Sequence, residues 1–194
     1  MNVGDRFFAF LLYLTGVIFV AAIVHLTAIL MMPHVAPRDA YDRLGALAKP
    51  GQMTLLPRPI PGHEITPFED PAVAQAVCLY DLSNGPLRLH ADLASDRLVT
   101  LSFRARTGRV FYALTDSAAV HGTLDIRVLT ASQLENVEEN EDLENQPLQE
   151  LRLVAPDLKG FVLVNALATF PSQRSQAEAA TTSVSCSPET LARD

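Results

Sequence analysis

The chain has 194 residues, of which 48% are hydrophobic and 19% charged, and its formal net charge is −7. This composition excludes a disordered chain, a small disulfide-rich protein and a large enzyme of several domains. It predicts one globular domain of modest size together with a more apolar segment.

The apolar excess is concentrated near the N-terminus. Residues 7–32 comprise 26 positions, of which 22 are hydrophobic and none is Asp, Glu, Lys or Arg. As a helix this segment is about 39 Å long, against about 30 Å for the hydrocarbon core of a bilayer. It is too long for the apolar region of a cleaved signal peptide, and it lacks the polar face of a soluble core helix. The sequence therefore predicts one transmembrane helix in contact with membrane lipid, preceded by a short cytoplasmic stub, residues 1–6.

Orientation in the membrane follows less directly from the charges. Arg6 precedes the span, whereas Arg38 and Arg43 follow it, so the positive residues nearly balance. A long domain can cross the membrane despite nearby charges, and a short N-terminal stub is typical of an uncleaved signal anchor. We therefore expect the domain to lie on the non-cytoplasmic side.

Residues 33–71 are predicted to link the span to the domain. Apolar residues recur at three-residue spacing within 38–49, which indicates a short amphipathic helix (Tyr41, Leu44 and Leu47). Six of the thirteen prolines fall in residues 50–71, and proline lacks the N–H that helices and central strands need. The apolar residues of this stretch predict an extended strap along the domain surface (Leu55, Leu56, Ile60 and Phe68).

Residues 72–170 alternate between apolar strands and turn signals. The predicted strands are 76–82, 87–92, 97–105, 109–116, 124–128, 150–154 and 161–168. Asn84-Gly85 and Thr107-Gly108 predict hairpin turns, and Gly85 and Gly160 are expected at positive φ. The last segment is apolar on both faces, which is typical of a covered central strand. The pattern predicts a mainly β domain, an antiparallel sandwich or open barrel with one or two short helices.

Two further segments complete the chain. Ser132 and Glu135 fit a capping box, with Ser132 as the cap and Glu135 bonding back, so a short helix is expected there. Residues 171–194 are rich in Ser, Thr and Ala and offer little to bury, so we expect a flexible tail.

Four segments of the chain resemble a known family. They are "CLYDLSNGPLRLHA" from Cys78, "VTLSFRARTGRVFYALTD" from Val99, "LDIRVLTASQL" from Leu124 and "LRLVAPDLKGFVLVNAL" from Leu151. In this order they resemble the bacterial domain-of-unknown-function family 1254, in its short membrane-anchored branch, over residues 41–170. The resemblance implies a β-rich domain of the bacterial cell envelope, joined in many relatives to a second domain that we do not expect here. It implies no active site, because the shared motifs are structural.

Seven acidic residues account for the whole net charge. They lie between Arg127 and Arg152 without an intervening Lys or Arg (Glu135, Glu138, Glu139, Glu141, Asp142, Glu144 and Glu150). Without a glycine turn they do not match a calcium loop, so a solvated acidic face is predicted, with a basic partner as the alternative. Nucleic acid is not expected as a partner, because the arginines are scattered along strands.

No recognisable motif for chemistry occurs. A nucleophile elbow and a phosphate loop are both missing from the sequence. His90 and His121 can each meet an aspartate, for example Asp92 or Asp116, but exposed imidazoles do so on many β domains. His63-Glu64 and His121 with Asp125 lack a third ligand at metal-site spacing. We therefore predict no catalytic residue, no metal and no cofactor.

The two cysteines leave two possibilities open. Outside the cytoplasm Cys78 and Cys186 can form a disulfide closing a loop of about 108 residues. The alternative, which we favour, is a buried Cys78 acting as a small hydrophobic residue and a free thiol in the tail.

These observations favour a non-enzymatic, membrane-anchored module of the bacterial inner membrane with a periplasmic domain that binds or positions an envelope protein. One alternative is an enzyme or ligand-binding domain with a site built from strand ends around His90 or His121. The other is a small assembly subunit of a membrane complex that acts through the span itself.

Overall fold

The computed structural model describes residues 3–35, 39–60, 62, 65, 69–93, 98–119, 122–140 and 150–189. The chain divides into two compact units, Met1–Pro37 and Arg38–Asp194.

The N-terminal unit is one long helix, α1 (Val3–Val35). Its stretch Gly4–Met32 contains an 18-residue window with a mean hydropathy of 2.6 and no buried side chains, and it is long enough to cross a membrane. Thr15 and Thr27 donate their hydroxyls to backbone carbonyls four residues earlier, each at 2.8 Å. The helix thereby satisfies these two polar groups internally, as an apolar environment requires.

The second unit is built from two β-sheets. One sheet has the order β1-β2-β8-β4-β5 and the other β7-β6-β3-β9. The strands are β1 (Met53–Leu55), β2 (Val73–Asp81), β3 (Leu87–Asp92), β4 (Val99–Ala105), β5 (Val110–Thr115), β6 (Thr123–Leu129), β7 (Glu150–Val154), β8 (Lys159–Leu167) and β9 (Ser185–Pro188). The helices are α2 (Ala40–Gly45), α3 (Ala131–Asn140) and α4 (Arg174–Thr182). The predicted mainly β sandwich with few helices is confirmed.

The main core lies between the two sheets. Alternation decides which residues enter it, because successive side chains of a strand point to opposite faces. In β3, Leu87, Leu89 and Ala91 are buried while Arg88 and Asp92 are exposed. Strand β8 lies between β2 and β4 and is buried on both faces, as its unbroken apolar sequence predicts.

All strand pairs are antiparallel except β6 with β7, which run parallel. Parallel neighbours need a crossover connection, and α3 lies within it. The capping box of α3 is displaced from its predicted position. Thr130, rather than Ser132, accepts from the Gln133 N–H at 3.2 Å, and the Gln133 side chain accepts from the Thr130 N–H at 3.0 Å.

The two expected positive-φ glycines have different roles. Gly85 has φ 144°, but it follows a short 3₁₀ segment that leads from one sheet to the other, so β2 and β3 are not a hairpin. Gly160 lies within β8 and its φ is not positive, so that prediction is wrong. A Cβ at Gly160 would collide with the carbonyl oxygen of Arg104 and the phenol of Tyr80. The glycine leaves room for Tyr80 to donate its hydroxyl to that carbonyl at 3.2 Å.

A second, smaller core covers the outer face of the five-stranded sheet. Leu44, Ala48 and Leu56 pack there against outward side chains of β2 and β8. The predicted helix after the span is α2, which has only six residues. The predicted strap runs along the sheet, and part of it forms β1, which pairs with β2. Of the strap residues expected to pack, Leu56 is buried, Leu55 and Ile60 are exposed, and Phe68 lies outside the described residues.

The C-terminal residues do not form a flexible tail over the range that the structure describes. Residues 171–189 form a 3₁₀ segment, α4 and β9, and Ala177, Thr181 and Val184 are fully buried. The expectation fails because small side chains become buried where α4 packs closely on β2 and β8, which needs no large apolar residue.

Cys78 of β2 and Cys186 of β9 form a disulfide, with Cα atoms 6.6 Å apart. The favoured alternative of two free thiols is therefore wrong. It assumed a loose tail, whereas β9 pairs with β3 and brings Cys186 to the core. The bond joins one sheet to the other.

Candidate functional site

His90, one of the two histidines singled out from the sequence, lies on the outer face of the four-stranded sheet. Its Nδ1 is 2.8 Å from Asp125 Oδ1 on the neighbouring strand, and its Nε2 is 3.6 Å from Asp92 Oδ1. The register of β3 and β6 places His90 directly opposite Asp125, which explains the closer contact. The hydrogen bond to Asp125 raises the pKa of His90 above its usual value, against the opposing effect of burial.

This arrangement does not resemble a catalytic triad. Ser185 lies opposite His90 on β9, but its hydroxyl donates to the His90 backbone carbonyl at 3.1 Å rather than to the imidazole. Among the described residues the imidazole is hydrogen-bonded to Asp125 alone, so no hydroxyl or thiol there is positioned to give it a proton. The cluster binds its own strands together.

The other predicted pairs are only partly described. His121, His63 and Glu64 lie outside the described residues, as do Glu141, Asp142 and Glu144. The part of the chain with assigned positions contains no group of three metal-ligating side chains.

One acidic residue departs from the predicted solvated face. The Glu150 side chain is only 2% exposed and lies between two arginines, 3.3 Å from Arg127 Nε and 3.3 Å from Arg152 Nε. Glu189 also contacts Arg127, at 3.1 Å. Glu150 therefore ties β7 to β6 rather than facing solvent.

A pocket that sequence reasoning missed lies on the outer face of the five-stranded sheet, and we name it the Arg104 pocket. Its volume is about 420 Å³. Outward side chains of β2, β4 and β8 form the floor, and α2, Ile65 of the strap and the β4–β5 turn form the walls (Ala40, Arg43, Leu44, Ile65, Gln75, Arg104, Thr107, Gly108, Phe161, Leu163 and Asn165).

Polar contacts hold the walls of this pocket in place. Asp39 caps α2 by accepting from the Asp42 N–H at 2.9 Å. Arg106, in the β4–β5 turn, forms ion pairs with the carboxylates of Asp39 and Asp42. Its backbone carbonyl accepts from the Tyr41 N–H at 3.1 Å. Ile65 donates its N–H to the Glu69 carboxylate at 3.0 Å. The helix and the turn are thus attached to each other beside the opening, whereas the Ile65–Glu69 bond lies within the strap itself.

Arg104 is the charged group of the floor and is half-buried. Its Nε donates to the Ser102 hydroxyl at 3.2 Å and its Nη1 to the Gly108 carbonyl at 3.2 Å. Both acceptors are neutral, and burial lowers the pKa of the guanidinium. Beside it, Gln75 donates to the Asn165 side-chain oxygen at 3.1 Å, and Asn165 donates to Thr100 at 3.4 Å.

No motif announces this pocket. Arg104 and Ser102 lie on the outward face of β4, a pattern that is common to many arginines in contact with solvent. The other lining residues are spread along the chain from position 40 to position 165. Only the folding of α2 and the strap over the sheet makes it a cavity.

Comparison with known proteins supports the fold alone. No family model and no curated protein matches the chain. Its structure is similar to that of the VPA0106 protein from Vibrio parahaemolyticus, with a TM-score of 0.52 and 9% identity over 80% of this chain and 38% of the other. It is also similar to an uncharacterised protein from Burkholderia cenocepacia, with a TM-score of 0.42 and 12% identity over 71% of this chain and 34% of the other. The chain therefore spans well under half the length of either protein.

Proposed function

We propose that this protein is a single-pass protein of a bacterial inner membrane whose periplasmic domain binds an envelope partner without catalysing a reaction. The proposal is carried by two observations, the Cys78–Cys186 disulfide within the domain and, in the other unit of the chain, a helix long enough to span a bilayer. Disulfides persist in oxidising compartments and are rare in the cytosol, so a bonded pair favours an exported domain. Membership of family 1254 forms part of the same proposal.

Binding rather than catalysis is favoured by the contacts of His90, the one histidine of the domain that the structure describes. Its imidazole is hydrogen-bonded to Asp125 of its own sheet, and no hydroxyl or thiol of the described residues accompanies it as a nucleophile. The Arg104 pocket supplies a cation, amides and some apolar area, which are means of recognition, and the lining residues within the described ranges include no imidazole or carboxylate.

Membrane attachment is tested by fractionation of cells expressing the full chain. A double substitution Val20→Arg and Val24→Arg places two charges in the span, each costing about 2.5–3.5 kcal/mol near the centre of a membrane helix. We expect the wild type and a Val20→Leu control in the membrane pellet and the double variant largely in the supernatant. A wild-type chain that stays in the supernatant contradicts the proposal.

Sidedness is tested with a membrane-impermeant maleimide on spheroplasts. Ala118→Cys places a thiol on an exposed position of the domain, and Gly4→Cys places one before the span. We expect the first to react in intact spheroplasts and the second only after lysis. The reversed pattern would place the domain in the cytoplasm.

Partner binding is tested by crosslinking in cells followed by purification of the chain. A crosslinked envelope protein that persists when residues 7–32 are exchanged for an unrelated span supports binding by the domain. Loss of the crosslink on that exchange favours the assembly-subunit alternative, and recovery of the chain alone counts against both.

A further inference from the structure

The Arg104 pocket has the size and shape of a small-molecule site. Ligand pockets are concave and measure about 300–1,000 Å³, and this one, at about 420 Å³, is near the lower end of that range. It is built from the sheet, α2, the strap and a hairpin turn, all within the domain, so it does not depend on the membrane span.

The charge in the pocket is uncompensated among the described residues. Other basic residues of the domain, Arg106 at the rim of the pocket and Lys159 and Arg174 farther away, each contact a carboxylate. Arg104 instead meets a hydroxyl and a carbonyl, and the second cation of the lining, Arg43, has no carboxylate partner in the described part of the chain. In a protein with a net charge of −7, the lining residues that the structure describes thus carry two positive charges and no acidic side chain.

A half-buried guanidinium with neutral partners favours an anion. Arginine carries five N–H donors in a fixed plane that suits the two oxygens of a carboxylate, and Arg104 uses two of its groups within the protein. A hydrogen bond to a charged group contributes more than one between neutral groups, and more so where water is partly excluded.

The remainder of the lining indicates what the anion is attached to. Leu44, Ile65, Phe161 and Leu163 form the apolar part of the lining, but Leu44, Phe161 and Leu163 are only 2%, 3% and 4% exposed and offer a ligand a small apolar contact surface. The volume of about 420 Å³ leaves room for more than a bare inorganic ion. The Gln75–Asn165 amide pair adds hydrogen-bonding capacity beside the cation. The Arg104 charge, the neutral amide pair and the apolar lining together suit a ligand that carries one negative charge on a partly apolar molecule.

We propose that the Arg104 pocket binds a small organic monocarboxylate, whose carboxylate pairs with Arg104 and whose apolar part lies against Phe161 and Leu163. A free organic acid and the C-terminal carboxylate of a peptide share this chemistry. The experiment below separates the two sources.

The test is calorimetric titration of the full chain in neutral-lipid nanodiscs, with empty nanodiscs as the blank. The probes are 4-phenylbutanoate, the matched neutral 4-phenylbutanamide, inorganic phosphate, and a tripeptide ending in Leu with either a free or an amidated C-terminus. We expect the acid to bind at least about tenfold more tightly than the amide, because only the acid forms the charged hydrogen bonds. Tighter binding of the free peptide than of 4-phenylbutanoate identifies a peptide end as the source, and the opposite order identifies a free acid.

Variants make the assignment specific to the pocket. Arg104→Met removes the charge and is expected to weaken acid binding about tenfold or more, whereas Arg104→Lys retains part of the affinity. Arg88→Met, the same change on the other sheet, is the matched control and is expected to leave binding unchanged. Thr107→Trp, at the exposed rim, is expected to block binding while keeping Arg104, and circular dichroism checks that each variant is folded.

Three results would overturn the proposal. They are equal affinity for acid and amide, unchanged binding by Arg104→Met or Thr107→Trp, and binding of inorganic phosphate in preference to any carboxylate. None of these bears on membrane attachment, so this proposal and the proposed function can fail separately.

Discussion

The disulfide between Cys78 and Cys186 offers the most quantitative test of the fold. It joins residues 108 apart in sequence, and in the chain-entropy treatment such a crosslink contributes about 4.7 kcal/mol by restricting the unfolded chain. For a domain of this size 1 kcal/mol corresponds to about 2–4 °C in Tm, so loss of the bond is expected to lower Tm by roughly 10–20 °C.

The variant Cys186→Ala isolates this effect. Cys186 is only partly buried, so its replacement leaves little cavity, whereas Cys78 is completely buried and its replacement would add one. Thermal unfolding of the full chain in a mild detergent is followed by circular dichroism, with and without reductant. Reductant should lower the Tm of the wild type to that of the variant and leave the variant unchanged.

The reasoning would be refuted by a wild-type Tm that does not respond to complete reduction. A difference below about 1 kcal/mol between the oxidised and reduced forms would mean that the packing of α4 and β9 alone holds the C-terminal residues in place. A thiol count on the protein extracted without reductant provides the control, because the structure requires no free thiol.

Three further predictions concern the domain. Gly160→Ala is expected to lower the free energy of unfolding in urea by about 1–3 kcal/mol because the added methyl has no room. Gly45→Ala is the control and should be neutral or slightly stabilising, because the space around Gly45 is open. Equal effects of the two substitutions would refute the close approach of Tyr80 and the Arg104 carbonyl to Gly160. Thr130→Ala should destabilise the domain by about 1 kcal/mol because it removes the cap of α3, and Ser132→Ala should destabilise it clearly less. A larger effect of Ser132→Ala would instead support the cap at Ser132 that the sequence predicted. Because the pKa of His90 is raised in the folded state, the stability that its ion pair contributes is complete below the unfolded-state pKa and is lost as pH rises through the folded-state pKa. The stability difference between wild type and His90→Gln should therefore be larger at pH 5.5 than at pH 8.5, by less than about 1 kcal/mol because the pair is exposed. A pH-independent difference would contradict this prediction.

Much of the β domain is predictable because its strands alternate clearly. Leu87, Leu89 and Ala91 face the core as their spacing requires, and the hairpin at Thr107-Gly108 lies where the turn residues place it. The cap of α3 is misplaced by two residues because Thr130 and Ser132 offer equally good hydroxyls, and only the backbone geometry chooses between them.

The Arg104 pocket and the buried ion pairs could not be predicted in the same way. Glu150 belongs to an acidic run, and its burial depends on Arg127 and Arg152 being brought beside it by the parallel pairing of β6 and β7. Likewise, nothing within β4 shows that α2 and the strap will close over Arg104.

Residue type and spacing along a few consecutive positions define the apolar span and the inward face of most strands. Contacts between distant segments add three features: the C-terminal segment belongs to the sandwich, Cys78 meets Cys186, and one arginine of the outer face lies in a cavity. These features depend on which distant segments become neighbours, and local periodicity defines the surface that a strand presents but not the segment that covers it.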